Sequence, residues 1–238
     1  FTSAFSSYSG CRQYRENIEE ARRLAGDGAP EVDKVRAYFN HPGFIDAMTE
    51  NVEIALRGFP ADCRDAVRLV FTAHSIPVAM AEGSRYVEQL REASRLVAEG
   101  VGRPWVLVYQ SRSGPPGQPW LEPDVGDYLR DVARGQTAQS LILAPIGFIT
   151  DHMEVIYDLD TEAMRLAGQL GLKAVRAATV GSNPKFVTAL RDLIAERVTA
   201  SAERPAAGIL GPSHDVCPPD CCLPGPAGGR PPGVRSST

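Results

Sequence analysis

Four short apolar runs, at 68–73, 105–109, 141–144 and 174–178, stand apart along the chain and are bounded by Gly, Pro, Ser or His. Between and after them, apolar residues return every three or four positions over 83–99, 124–134, 151–170 and 184–198. Runs of four to six residues rich in β-branched and aromatic side chains predict strands buried on both faces, and the longer periods predict helices. Such alternation gives a parallel sheet covered on both sides. With right-handed crossovers the prediction is an α/β, doubly wound, Rossmann-like domain with a four-stranded parallel sheet. Helix signals agree: Asn183 is placed to cap a helix that Pro184 opens, and Gly171 follows the long 151–170 pattern as a stop.

Upstream, 12–25 and 43–56 also read as helices, but only a strand tail at 1–5 is available for them to pack on. Residues 1–65 are therefore expected to close an earlier, similar domain and connect it to a second domain over 66–200. From 201 to 238 the chain is rich in Pro, Gly and Ser and lacks periodicity, so it reads as a tail carrying a cysteine cluster.

Composition narrows the function classes. The 238 residues are 43% hydrophobic and 23% charged, as in an ordinary globular protein. A formal net charge of −4 without a large Lys/Arg cluster argues against a nucleic-acid partner. The longest apolar stretches, such as 140–149, are about half of what a transmembrane span needs. The start lacks the pattern of a signal peptide and an initiator Met, so the chain reads as a cytoplasmic protein and as a piece of something longer. Five cysteines, an odd number, favour reduced thiols or metal ligands over disulfides. Cys217, Cys221 and Cys222 crowd together, while Cys11 and Cys63 stand alone.

In an open parallel sheet, ligands bind beyond the carboxyl ends of the strands. His74 directly follows one apolar run, and Glu154 opens the helix pattern after another, which places both plausibly in one cleft. His74 alone is equally well a strand-end histidine satisfying a carbonyl. Asp151, Glu154, Asp158 and Glu162, spaced three, four and four apart, form one acidic stripe on that helix. The stripe is either a solvated face or a track for a divalent cation, since carboxylate oxygens and imidazole suit Fe²⁺ and its neighbours. Trp120 lies on a Pro/Gly-rich loop, where it either folds back on the core or faces a flat ligand.

Together these segments resemble the ferrochelatase family. Residues 69–77 (LVFTAHSIP) are similar to its catalytic-histidine strand, and 109–112 (YQSR) with 119–123 (PWLEP) to its second signature. Residues 145–160 (PIGFITDHMEVIYDLD) are similar to its metal-site helix, and 181–184 (GSNP) to the turn before its last long helix. The resemblance implies insertion of Fe²⁺, as substrate, into a free-base porphyrin in haem synthesis. It favours coproporphyrin III as the acceptor, with protoporphyrin IX next. It puts His74 and Glu154 at the two principal active-site positions, for chemistry and for contact with the iron, without deciding which takes protons. Asp151 and Asp158 follow as a carboxylate track, and Trp120 and Tyr157 as porphyrin contacts. Some members hold a 2Fe–2S cluster on one internal and three C-terminal cysteines, which implies Cys11, Cys217, Cys221 and Cys222 here. Cys63 is then a free, packed thiol. A monomer with at most peripheral membrane contact is expected. Because members are longer, this chain by itself is expected to be inactive. A cobalt or nickel chelatase of the same fold, and a non-enzymatic tetrapyrrole- or metal-binding protein, remain as alternatives.

Overall fold

The computed structural model describes residues 1–115 and 117–225; the expected tail beyond 225 lies outside the described residues. Four parallel strands form one sheet: β1 (Arg68–His74), β2 (Trp105–Gln110), β3 (Ser140–Ala144) and β4 (Lys173–Arg176). Their order is β2-β1-β3-β4, with Leu69 beside both Trp105 and Ile142, and His74 beside Gln110. The chain moves outward from β1 to β2, then returns past β1 to β3. That reversal lies between β1 and β3, where an open α/β sheet forms its crevice.

Alternation along the strands divides the core in two. Leu69, Phe71, Ala73, Ile142 and Ala144 face one helical layer, while Val70, Val108, Leu141 and Leu143 face the opposite one. The first layer holds α1 (Pro42–Arg57), α2 (Tyr86–Val101) and α3 (Pro184–Thr199), and the second holds α4 (Val125–Gly135) and α5 (Met164–Gln169). Burying both faces explains why the strand runs are apolar throughout and do not alternate with polar residues.

The observed helices follow the periodic patterns closely, and their ends have physical causes. Asp124 accepts from Gly126 N at 2.8 Å to cap α4, and Asn183 accepts from Lys185 N at 2.9 Å to cap α3. A helix at Gln13–Ala25 follows a π-helical segment, Tyr8–Arg12, that carries Cys11.

Two expectations are corrected, the strand at 1–5 and the packing of Cys63. Residues 1–5 form no strand; Phe5 instead inserts into the first layer against Phe39, Phe44 and Tyr86. With α1 packed on α2 and α3, the segment before residue 66 shares the core of the sheet that follows it. Cys63 is free but exposed, because it lies on a 3₁₀ turn, Ala61–Ala66, at the surface. After Thr199 the described chain has no helix or strand, yet it is anchored: Ala207 N donates to Asn40 O at 2.8 Å and Ile209 N to Glu92 at 2.9 Å.

Candidate active site

His74 ends β1 because the strand is stopped by Pro77, which lacks an N–H, and is tied down on all sides before it turns. Ser75 N donates to Gln110 O at 2.8 Å, and the Ser75 hydroxyl donates to Leu121 O at 2.9 Å. Leu121 N donates to Ile76 O and Val78 N to Pro119 O, both at 3.0 Å, so the 119–121 segment laces the turn in place. The buried Tyr86 hydroxyl donates to His74 O at 3.0 Å. The histidine backbone is thus fixed while its side chain stays 38% exposed.

Glu154 arrives from the other side of the switch point. After β3 the loop crosses back over β1, where Gly147 N donates to Thr72 O at 3.1 Å. A Cβ at position 147 would come within 2.7 Å of Ala73 Cβ, so this approach requires glycine. His152 then caps the helical turn Met153–Val155, accepting from Val155 N at 3.4 Å. His74 Nδ1 and Glu154 Oε1 meet at 2.7 Å. The bond to His74 is the main cause holding the Glu154 carboxyl below its usual range; partial burial opposes this and Ser111 assists.

The helix continues as a π-helical segment, Ile156–Ala163, before α5. π-helical turns inside helices are frequent at functional sites. The acidic stripe is not uniform there. Asp158 accepts from the Ser111 hydroxyl and from Gln110 Nε2, the latter at 3.2 Å. Asp151 instead pairs with Arg176 at 3.0 Å, and the same guanidinium holds Asp160 at 2.5 Å. Arg176 stands at the end of β4, so a basic partner from another strand neutralises what looked unpaired on the helix. Glu162 lines a polar cavity of about 400 Å³ with Asp158, Ser111, Arg112, Arg130 and Arg165.

Next to Glu154, Met153 is 76% exposed, Tyr157 53% and Ile156 41%. These three side chains form an exposed apolar group beside the His74–Glu154 contact. Trp120 bridges Pro77 and folds back on its own loop, where a Cβ at Gly114 would strike the indole. It is half-buried.

Sequence reasoning missed Ser111, Gln110, Tyr86 and Arg176. The 109–112 motif contained the first two, but only the sheet register carries Gln110 to His74. Tyr86 looked like one more apolar residue of a helix, and Arg176 an interruption of an apolar run.

A second group of side chains gathers away from this cleft. Cys221 Sγ and Cys222 Sγ lie 3.3 Å apart, and Cys11 and Cys217 are within hydrogen-bonding reach of each other. Lys34 Nζ donates to Cys11 Sγ at 3.1 Å and to its carbonyl at 3.0 Å. The Cys217 thiol, and then Lys34 against the opposing effect of burial, hold the Cys11 thiol far below its usual range. Arg12 and Arg15 donate to the carbonyls of Cys221 at 2.9 Å and Cys217 at 3.1 Å. The cysteine-bearing segment is fixed by its backbone.

The family model described as "Ferrochelatase" matches residues 1–198. A ferrochelatase of Rhodopirellula baltica is 54% identical over 237 residues, covering 97% of this chain and 67% of that protein. A coproporphyrin III ferrochelatase of Streptomyces griseus is 48% identical over 244 residues, 93% of this chain and 65% of the relative. For the protein of that name from Frankia alni the identity is 45%, over 94% of this chain and 61% of the relative. The chain thus spans about two thirds of the length of these relatives.

Proposed function

Since this chain belongs to the ferrochelatase family, we propose that the whole protein inserts Fe²⁺ into a free-base porphyrin, with His74 and Glu154 as its reacting pair. The observation that carries this reading is their 2.7 Å contact at the switch point of the sheet. Coproporphyrin III is the favoured acceptor, because relatives at 43–48% identity bear that substrate in their names.

The chemistry requires removal of two pyrrole protons as the metal enters the ring. A carboxyl held below its usual range is ionised at neutral pH and can only accept a hydrogen bond. Its partner, His74 Nδ1, must therefore carry a proton, and whenever the ring holds only that one its lone pair is on Nε2. That assigns His74 Nε2 as the acceptor of the pyrrole protons one at a time, each passed from its solvent-exposed ring to water before the next is taken, and Glu154 as the group that fixes the tautomer and stabilises the imidazolium once formed. Asp158, held by Ser111 and Gln110, is the better carboxylate for delivering iron. Asp151 is the weaker one, because Arg176 already compensates its charge. Tyr157, Met153 and Ile156 supply the apolar face for the macrocycle, with Trp120 bracing the rim of the cleft.

The four thiols fit a 2Fe–2S cluster held by Cys11, Cys217, Cys221 and Cys222, because they fall into two pairs, one for each iron. When bound, such a group supplies one-electron chemistry and a clamp between the start and the end of this chain. Absorption and Mössbauer spectra of anaerobically purified protein test this assignment; a colourless sample lacking iron and sulfide excludes it. Among the described residues, no helix is long and apolar enough to cross a membrane.

The decisive experiment is steady-state iron insertion by the full-length enzyme with each of the two porphyrins. Replacing His74 with Ala is expected to abolish turnover while leaving porphyrin binding intact. Turnover retained in that variant would remove His74 from the chemistry, and faster insertion into protoporphyrin IX would reverse the substrate order.

A further inference from the structure

One member of the thiol-rich corner has no part in the proposed cluster. His214 Nε2 lies 3.9 Å from Cys221 Sγ. His214, Cys217 and Cys221 each offer one ligand atom, and the three atoms lie within 4.8 Å of one another. Nitrogen and sulfur donors bonded to a tetrahedral zinc at about 2.0–2.3 Å sit roughly 3.3–3.8 Å apart. Side-chain adjustments on the order of an ångström therefore bring all three donors onto one ion.

The surroundings suit that ion. Two thiolates and one imidazole are the ligands of a borderline cation such as Zn²⁺, whereas Mg²⁺ and Ca²⁺ require oxygen. A cavity of about 360 Å³, bordered by His214, Cys221 and Cys222, opens onto the group and gives an ion and a water a route to it. The guanidinium contacts of Arg12 and Arg15 already hold the backbone on which Cys217 and Cys221 stand. The ligand set also cuts across the thiol pairs, taking Cys217 from one and Cys221 from the other.

We propose that His214, Cys217 and Cys221 form a mononuclear Zn²⁺ site, completed by water from the cavity, whose occupation excludes a two-iron cluster because it removes one thiol from each pair. Binding deprotonates the two thiols and releases their protons to solvent. The exclusion rests on the cluster reading given above; the zinc site itself does not.

The test uses the full chain, freed of metal with a chelator, and titrates it with Zn²⁺ against a chromophoric competitor and with Co²⁺ as a spectroscopic probe. One equivalent of Co²⁺ should give tetrahedral ligand-field bands with thiolate charge transfer. His214→Ala, at an exposed position, should weaken Zn²⁺ binding at least tenfold yet leave the iron and sulfide content after reconstitution unchanged. Cys222→Ser should do the reverse, losing the cluster and keeping the zinc. Zinc binding unaffected by H214A, or lost together with the cluster in C222S, would overturn the proposal. Should unsubstituted protein take up zinc as expected but never iron and sulfide, the cluster reading fails while the zinc site stands. Circular dichroism of both variants confirms that a loss of metal is not a loss of fold.

Discussion

A histidine with a carboxylate at 2.7 Å is chemically ambiguous until the proton between them is assigned, and the function proposed above, with Glu154 ionised, puts it on Nδ1. Replacing Glu154 with Gln tests that assignment directly. The amide can donate as well as accept, so it no longer fixes the histidine tautomer, and it cannot stabilise an imidazolium. Removing the carboxylate that orients a histidine costs about 10–100-fold at metal ligands and up to about 10⁴-fold at a general base. E154Q is therefore expected to lose kcat within that range in the full-length enzyme, less than H74A, with porphyrin affinity unchanged. Equal losses in the two variants would mean that Glu154 reacts directly and is not an orienting group. Arg176 gives a second prediction at this scale. Arg176→Ala frees Asp151 and Asp160 from their cation, and the extra negative charge beside the cleft should lower the KM for iron at low salt and fade as salt is raised. An unchanged KM would place this trio outside the path of the ion.

At the scale of elements, the loop that leads to Glu154 crosses β1 at one tight approach, Gly147 over Ala73. Gly147→Ala forces a methyl to within 2.7 Å of Ala73 Cβ, and the backbones must separate. Overpacking of this kind costs about 1–3 kcal/mol. Urea unfolding of G147A should show a loss in that range, and the His74–Glu154 spacing should lengthen, lowering turnover more than stability alone explains. The elements themselves were largely readable. Each apolar run became a strand within one or two residues, and Asn183 and Pro184 marked the start of α3 correctly, because caps and burial are local or periodic signals. The π-helical segment at Ile156–Ala163 was not readable, since five-residue and four-residue hydrogen bonding share much the same apolar pattern. Nor was the fate of residues 1–5, whose apolar composition suits an edge strand but whose Phe5 inserts among aromatics from three other segments. The site divides in the same way. His74 and Glu154 stood at recognisable strand and helix ends, whereas Ser111 and Arg176 matter through register across the sheet, which no local pattern encodes.

For the whole molecule, the start, the last helix and the segment after it are joined at one buried ion pair. The Arg36 side chain is fully buried and holds Glu196 of α3 through two hydrogen bonds, at 2.7 and 3.1 Å. It also donates to Pro205 O at 2.9 Å, so one guanidinium ties together parts of the chain some 170 positions apart. Burial raises the Glu196 pKa, but Arg36 and then Arg204 more than offset this and leave it below the usual carboxylate value of 4.5. The sign follows from that depression. The pair's contribution is complete above 4.5 and is lost as pH falls through the lower folded value, because the unfolded chain then binds the proton more readily. Arg36→Met alone leaves a buried carboxylate uncompensated except by Arg204, and should cost about 3–5 kcal/mol at neutral pH. The double replacement Arg36→Met with Glu196→Leu removes both charges and should recover most of that loss. Urea unfolding at pH 7 and across the acid range separates these outcomes. The single variant should be far weaker than the parent at pH 7, the double one nearly equal to it, and only the parent should lose this part of its stability on acidification. Equal stability of all three at pH 7 would show that the segment after α3 is held without the Arg36–Glu196 pair, by contacts such as those of Ala207 and Ile209.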